Sequence, residues 1–507
     1  MASFSVMEDF EIIKNDSFLE KADQAKTPFF HEKRIPLNIF KLKDKGFGRG
    51  DRITLDMGEH LVGHITFSLG FTGSHPDAPL YLRLRFAEHE SELQSSMETY
   101  DGWLSKSWIQ EEMIHVDILP ACVTLPRRYA FRYVEITVLD TSQKYKVIFE
   151  DISVDAITSA NAENICKRDF GETILNEIDQ AGIRTLRDCM QDVFEDGPKR
   201  DRRLWLGDLR LQALTNYMTF KNYDLVKRCL YLFAGLSFNE GKISACLFTE
   251  PTYEPDDTYL VDYALLYVPT LWEYYQASND KETLKELYAT AQKQINLVSA
   301  TRDKEELLED QGEKFWCFLD WGNGLNKHAG ANAVLLYTLN YGIRMAEVLE
   351  DMQRVQELSD LQKNLKASIL EKFWDNERKL FVSGPESQIS MASQIWMILA
   401  GAVSESEGAD ILERAMKNPD TVQMQTPYIY HYYVTALIQC GNADEAKSVI
   451  RDYWGGMINA GADTFWEVFD PKNPDFSPYG SAALNSFCHA WSCTPTYLLR
   501  TVFGGKE

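Results

Sequence analysis

The sequence has no run of 18 apolar residues, and its opening stretch, MASFSVMEDFEIIKND, carries neither a basic segment nor an apolar one. A membrane-spanning helix needs about 20 consecutive apolar residues, and a secretory leader needs both segments. The chain is therefore expected to be soluble, cytoplasmic and without a membrane partner. Cysteine is sparse: nine residues scattered from Cys122 to Cys493, an odd number with no CxxC pair. That excludes a disulfide framework and zinc-type ligand spacing, and points to reduced thiols; no metal and no cofactor are expected. Positive charge is also short. Lys and Arg total 52 against 76 Asp and Glu, a net charge of −24, which repels nucleic-acid phosphates and anionic membrane surfaces. A neutral or cationic small-molecule ligand fits better than a nucleic acid.

What the chain does have is length and rings. At 507 residues it exceeds the roughly 250–300 that one hydrophobic core supports, and 45% hydrophobic with 12% aromatic residues rules out disorder. From about residue 50 to 157 the hydrophobic period is two. YLRLRFAE puts Leu82, Leu84 and Phe86 on one face with Arg83 and Arg85 on the other, and RYVEITVLD does the same with Val134, Ile136 and Val138. Turn signals such as GFTGSHPDAP separate these runs, as in an antiparallel β-sandwich.

Beyond SANAENICKRD, near residue 160, the period becomes 3.6. VDYALLYVPTLWEYY aligns Val261, Ala264, Leu265, Val268, Leu271, Trp272 and Tyr275 on one helical face, and AVLLYTLNYGIRMAEVLED repeats the pattern. About twelve helical segments follow, joined alternately by short and long loops, with no convincing strand. They pair as six hairpins, which predicts an (α/α)6 toroid; an irregular α-solenoid is the alternative. The expected organisation is an N-terminal extension over 1–45, a β-sandwich over 46–158 and an all-α domain over 159–507.

Five loop-like clusters mix carboxylates with rings: EDGPKRDRRLWLGD, EPTYEPDDTYLVDY, FWCFLDWGNG, QTPYIYHYY and GADTFWEVFD. Glycoside hydrolysis calls for that mixture: one carboxylic acid to protonate the leaving oxygen, a second carboxylate to activate water or attack, and rings to pack on the sugar's C–H faces. In the first cluster Gly197-Pro198 ends the preceding helix, so Asp196, Asp201 and Asp208 can point into one pocket beside Arg200. The same residues also suit a surface salt-bridge loop with Asp208 as a helix N-cap. Glu467 stands between Trp466 and Val468 with Phe465 and Phe469 alongside, costly to bury unless used or paired; the plainer alternative is an exposed Glu on a helix or edge. His489 in SFCHAWSCTP suits a sugar oxygen or a core carbonyl. Asp320 and Trp321 suit a hydroxyl acceptor and stacking platform, or a packed loop. Asp256 and Asp257 suit a helix start, which leaves Asp262 as the pocket residue of that group.

DGPKRDRRLWLGD resembles the Asp-Cys-Pro to Trp to Gly-Asp segment of glycoside hydrolase family 78, the α-L-rhamnosidases, and GADTFWEVFD followed by HAWS resembles that family's GATTxWExW and its downstream His region. The resemblance runs in order over residues 50–507. It implies an inverting hydrolase that releases terminal α-L-rhamnose, with Asp201 as general acid, Glu467 as general base, and Asp196, Asp208 and Trp205 on the sugar. Arg200, Asp320, Trp321 and His489 would line the same pocket, and Asp262 and Trp466 are further candidates for binding the substrate. Gly197 stands where the family has Cys, Leu204 where it has Gly, and Asp201 where it has the longer Glu. A compact two-domain member is implied, of a kind that can be homodimeric. Two rival readings are another toroid glycosidase or phosphorylase, the latter needing the Lys199–Arg203 cations for phosphate, and a sugar-binding pseudoenzyme.

Overall fold

In the computed structural model the described residues are 10–505, apart from 44, 96, 310–316, 323 and 475. The first nine residues of the expected extension, and Phe315, Trp316 and Asn323 of the third acid–aromatic cluster, lie outside them. The described chain opens with β1 (Ile12–Lys14), α1 (Asp16–Gln24) and β2 (Phe30–Arg34). It continues through β3 (Arg52–Gly73), β4 (Leu80–Ala87), β5 (Glu111–Val116), β6 (Ala121–Thr124), β7 (Tyr129–Asp140) and β8 (Tyr145–Thr158). Strands β2 to β8 form an antiparallel sheet ordered β2-β8-β3-β7-β4-β5, with β6 beside β3.

The length of β3, 22 residues, lets one sheet make two layers. Its first half pairs with β7, Arg52 opposite Thr137, and its second with β8, Gly73 opposite Tyr145. Leu55 and Met57 from one half join Phe67 and Leu69 from the other in a single core with Leu82, Leu84, Val134 and Ile136. The sheet folds over on β3 into a β-sandwich. Arg85 does leave the core face, as the alternation requires, yet it is buried: Glu111 and Glu135 flank it and the Leu93 carbonyl accepts from it at 2.8 Å.

Twelve further helices follow among the described residues: α2 (Thr173–Cys189), α3 (Leu206–Met218), α4 (Tyr223–Gly235), α5 (Val261–Ser278), α6 (Lys281–Ser299), α7 (His328–Val348), α8 (Met352–Phe373), α9 (Met391–Leu399), α10 (Glu405–Lys417), α11 (Pro427–Gln439), α12 (Ala443–Asn459) and α13 (Pro495–Val502). Helices α3, α5, α7, α9 and α11 pack in succession, and the ring closes back to α3 through the turn at 490–492 and α13. Their partners α4, α6, α8, α10 and α12 lie outside, and α2 completes the sixth hairpin against α13. The burial follows the layers: α5 is buried on every side from Asp262 to Leu271, whereas α8 buries only a stripe of Leu358, Leu365, Ile369 and Phe373. Closure makes this a six-hairpin toroid rather than an open solenoid.

Two expectations need correction. The helical half does contain strands: β9 (Leu204–Trp205), β10 (Leu236–Phe238), β11 (Lys242–Ile243), β12 (Cys246–Phe248), β13 (Glu254–Pro255), β14 (Trp374–Asp375) and β15 (Leu380–Phe381). Two or three residues are too few to show a period of two. The helix expected to end at Gly197-Pro198 ends at Cys189, where the buried turn from Met190 to Phe194 already diverts the chain.

The N-terminal segment touches both units. β1 pairs with β10, α1 packs along α4, Arg228 of α4 donates to the Ala22 carbonyl at 2.9 Å, and β2 pairs with β8 of the sandwich. Among the described residues no helix is long and apolar enough to cross a membrane, and all nine cysteines are free.

Between sandwich and toroid lies a buried charge network. His60 Nδ1 is 2.7 Å from Asp188 Oδ2 and its Nε2 is 3.1 Å from Glu88 Oε1. Lys199 Nζ reaches Glu92 at 2.7 Å and Glu88 at 3.4 Å, and Glu88 also accepts from the Phe487 amide at 2.8 Å. Burial disfavours a charged His60, but Cys488, Asp188 and Glu88 outweigh it and raise the ring well above its ordinary value. His60→Ala would leave Asp188 and Glu88 short of a cation, with Arg187 and Lys199 in partial compensation. The expected loss lies toward the lower end of the about 3–5 kcal/mol seen on breaking buried ion pairs, read as a lowered urea midpoint; an unchanged midpoint would remove the network from the account of domain docking.

Candidate active site

The loop from Glu195 to Trp205 is cinched by Asp196. Its Oδ2 accepts from the Asp201 amide at 3.1 Å and its Oδ1 from the Arg203 amide at 3.0 Å, while its own amide donates to the Arg203 carbonyl at 3.0 Å. Gly197 is required by crowding: a Cβ there would fall 2.4 Å from the Arg200 carbonyl and 2.7 Å from the Ser486 hydroxyl, so a cysteine could not take this path. The chain then pairs Leu204–Trp205 with β12 and enters α3, whose first turn carries Asp208, with Trp205 at the cap position.

The second segment comes from the far end of the sequence. The Glu467 amide donates to the Ser486 carbonyl at 3.0 Å, the His489 amide to Phe465 at 2.8 Å, and the Trp491 indole to the Glu467 carbonyl at 3.0 Å. The two segments are joined directly where the Ala490 amide donates to the Asp196 carbonyl at 2.7 Å.

Their side chains converge on Arg200. One guanidinium nitrogen donates to Glu467 Oε2, the other lies 3.5 Å from Asp201 Oδ1, and the cation packs 4.3 Å from the Tyr479 ring centroid. Tyr479 donates its hydroxyl to Glu467 Oε1 at 2.7 Å. Deeper in, His489 Nε2 stands 3.2 Å from Asp208 Oδ1, a charge contact in which Oδ1 accepts no aligned hydrogen bond. Asp196, Arg200, Asp208, Glu467 and His489 are buried, while Asp201 keeps part of its carboxyl in solvent.

Burial, and then the charges of Asp201 and Asp208, push the Asp196 carboxyl up to about 7. Burial likewise raises Asp208, against the pull of His489. For His489 burial works the other way, but Asp208, Glu467 and Asp196 prevail and lift it to about 9. The site is thus a set of acids balanced by two cations.

Asp262 and Asp320 are engaged with backbone. Asp262 accepts from the Phe318 and Leu319 amides at 3.0 Å, and Asp320 accepts from the Trp321, Gln425 and Thr426 amides at 2.8, 2.8 and 3.2 Å and from the Thr426 hydroxyl at 2.7 Å. They fix the loop that presents Trp321 to Tyr479 and Trp491, at centroid distances of 6.2 and 5.9 Å. Trp205 meets Tyr263 edge-on at 6.4 Å. Trp466 faces the sandwich, packed on His89 at 5.3 Å and Phe487 at 5.0 Å. The basic run is occupied: Lys199 by Glu88 and Glu92, Arg202 by the Arg128 carbonyl, and Arg203 over the Phe248 ring. Tyr479 and Trp491 were not singled out from the sequence. Trp491 sat inside the quoted HAWS run, but Tyr479 lies in a Ser/Pro/Gly loop with nothing to distinguish it.

A closed ring of six helical hairpins with carboxylates from two remote loops meeting at one end, and a β-sandwich locked against it, defines a six-hairpin glycoside hydrolase. Residues 21–156 match the glycosyl hydrolase family 78 alpha-rhamnosidase N-terminal domain, and residues 170–502 match the bacterial alpha-L-rhamnosidase 6 hairpin glycosidase domain. The chain belongs to glycoside hydrolase family 78. It is similar to a rhamnosidase from Klebsiella oxytoca solved with rhamnose bound, at 42% identity and a TM-score of 0.93 over 97% of this chain and 99% of that one. A family 78 rhamnosidase of Bacillus sp. GL1 is 22% identical, with a TM-score of 0.74 over 89% of this chain and 46% of that one. A Streptomyces avermitilis α-L-rhamnosidase complexed with L-rhamnose is 17% identical, with a TM-score of 0.67 over 94% of this chain and 44% of that one. At those identities the likeness is one of fold, and the chain spans about half the length of these two larger proteins. None of the curated proteins compared matches the sequence.

The raised His489 carries a pH signature. Its ordinary value is 6.5 and its folded value about 9, so its contribution to stability is present below 6.5 and is lost as pH rises from there through about 9. His489→Gln removes that contribution, together with its downward pull on the Asp196 and Asp208 carboxyls. Thermal melts should therefore separate the variant from the parent most at pH 6 and least at pH 9.5; a constant gap would show that His489 is not held charged.

Proposed function

We propose that the chain is an inverting α-L-rhamnosidase that releases terminal rhamnose, with Asp201 as general acid and Glu467 as general base. The observation that carries this reading is the placing of both carboxylates on one guanidinium, Arg200, although 266 positions of sequence separate them (467 − 201). The rhamnose in the Klebsiella oxytoca relative supports the choice of sugar.

In this reading Asp201 protonates the glycosidic oxygen as the bond breaks, and Glu467 takes a proton from a water on the opposite face of the ring, so that the water adds at the anomeric carbon with inversion. Arg200 and Tyr479 orient the Glu467 carboxylate through one donor on each oxygen. Asp201 is one methylene shorter than the family's Glu, and the grip of Asp196 on the Asp201 and Arg203 amides sets where that shorter carboxyl sits. Asp208 and His489 form a charged pair suited to ring hydroxyls. Phosphorolysis is disfavoured because the cations it would need are taken by Glu88, Glu92, Glu467 and the Arg128 carbonyl. Nine free thiols, Cys122 and Cys166 among them exposed, support a reducing, cytoplasmic setting.

Asp201→Asn and Glu467→Gln should each lower turnover on 4-nitrophenyl α-L-rhamnoside by about 10²–10⁴-fold, the scale of a lost acid or base, with circular dichroism unchanged. NMR of the first product should show the anomer opposite to that of the substrate. Near-parental activity in either variant would remove that residue from the mechanism, and rhamnose binding without hydrolysis of any glycoside would make the chain a sensor.

A further inference from the structure

We propose that Lys199 is a positioning residue for the reaction: anchored in the sandwich, it sets where the next residue, Arg200, holds the Glu467 carboxylate. This rests on the rhamnosidase reading above, with Glu467 as base, and adds a residue too deeply buried to meet a substrate.

The chain turns tightly over residues 197–202, where the Arg202 amide donates to the Gly197 carbonyl at 3.1 Å. Lys199 and Arg200 are consecutive on this turn, yet they bond to different parts of the molecule. Lys199 Nζ reaches Glu92 Oε2 at 2.7 Å and Glu88 Oε2 at 3.4 Å, both just after β4 of the sandwich. Arg200 instead donates to Glu467 and lies 3.5 Å from Asp201. The Lys199 side chain is only 1% exposed, and its ammonium stands 5.7 Å from the centroid of the Phe487 ring. One cation therefore touches the sandwich and the segment that follows Glu467.

A buried ammonium is costly unless its charge is met, and this one is met by two carboxylates that are themselves fixed. Glu92 Oε1 accepts from the Glu88 amide at 2.8 Å and from the His89 amide at 3.2 Å. Glu88 accepts from the Phe487 amide at 2.8 Å, and the neighbouring Ser486 carbonyl receives the Glu467 amide at 3.0 Å. The two acids thus register the turn bearing Arg200 and the segment bearing Glu467 against one frame. Arg200 has little else to place it. Its Nε is buried without a hydrogen-bond partner, so the direction of its guanidinium is set by the acids it orients, the Tyr479 ring and the backbone that carries it. Releasing that backbone at Lys199 lets the base shift, and a misplacement of about an ångström costs up to about 10²-fold in rate.

The test compares Lys199→Met, Lys199→Arg and Glu92→Gln with the parent enzyme on 4-nitrophenyl α-L-rhamnoside, and adds Lys199→Met to Glu467→Gln. Lys199→Met should lower kcat about 10–10²-fold, with KM within about twofold of the parent and circular dichroism unchanged. Lys199→Arg, which keeps the charge, should recover most of the loss, and Glu92→Gln should reproduce part of it. In the Glu467→Gln background Lys199→Met should lower the remaining turnover by less than about twofold, because the group it positions is already gone. An equal loss in both backgrounds would make Lys199 a general scaffold residue, a raised KM with kcat intact would make it a binding residue, and parental kcat would leave it without a role; each overturns the proposal while the rhamnosidase reading stands. If Lys199→Met does not fold, Glu92→Gln decides on the same measurements, alone and with Glu467→Gln. A parent enzyme inactive on the rhamnoside, or Glu467→Gln with near-parental turnover, would instead remove the reading beneath the proposal, and the proposal with it.

Discussion

The Arg200 guanidinium holds Glu467 through one nitrogen and lies against Asp201 through the other, with the Tyr479 ring over its face. Few other side chains could do this, because the group is planar, offers five donors and stays charged even when buried. Asp196, Asp201, Asp208 and Glu467 gather four carboxylates around Arg200 and His489. Unbalanced, they would repel one another in a low dielectric where each charge is already costly. Arg200 and His489 supply the opposing charges, and neither would be stable in so dry a place without the acids. The acids and the cations are conditions for each other.

That balance depends on loops being kept still, and the sandwich contributes to it. Glu88 and Glu92, which follow β4, hold Lys199 on one of the two loops that meet at Arg200, and Glu88 also holds the Phe487 amide on the other. Lys199 precedes Arg200, and Phe487 follows the Ser486 whose carbonyl receives the Glu467 amide. The β domain is thus part of what holds these loops in place. A site on loops gains precision only when such contacts restrict them.

Much of this was legible in the sequence where the signal was local. The change of period near residue 160 separated a sheet from helices, and the acids around Gly197-Pro198 do lie on a loop, one the fold brings against Glu467, even though the preceding helix stops earlier, at Cys189. Glu467 stood out because four apolar neighbours make an unpaired carboxylate expensive. The same logic flagged Asp262 and Asp320, whose carboxylates are engaged by backbone amides of the loops around Phe318 and Thr426. A buried acid reads alike in sequence whether it faces a substrate or a turn, since its partners are fixed by the fold. Tyr479 shows the reverse failure: its role comes from contacts with Arg200 and Glu467, the first far off in the chain, and its own neighbourhood is ordinary turn sequence.

The first described residues bear on how such a protein can be divided. β1 adds an edge to β10, α1 lies along α4, and β2 adds a strand to β8, so one short segment is woven into both halves. A cut at the visible change from strands to helices would strip the toroid of pieces that precede the sandwich in the chain. Any recombined enzyme that exchanges the helical half for that of a relative would have to bring α1 and its flanking strands from the same parent, and the unit of inheritance is the whole arrangement rather than either half.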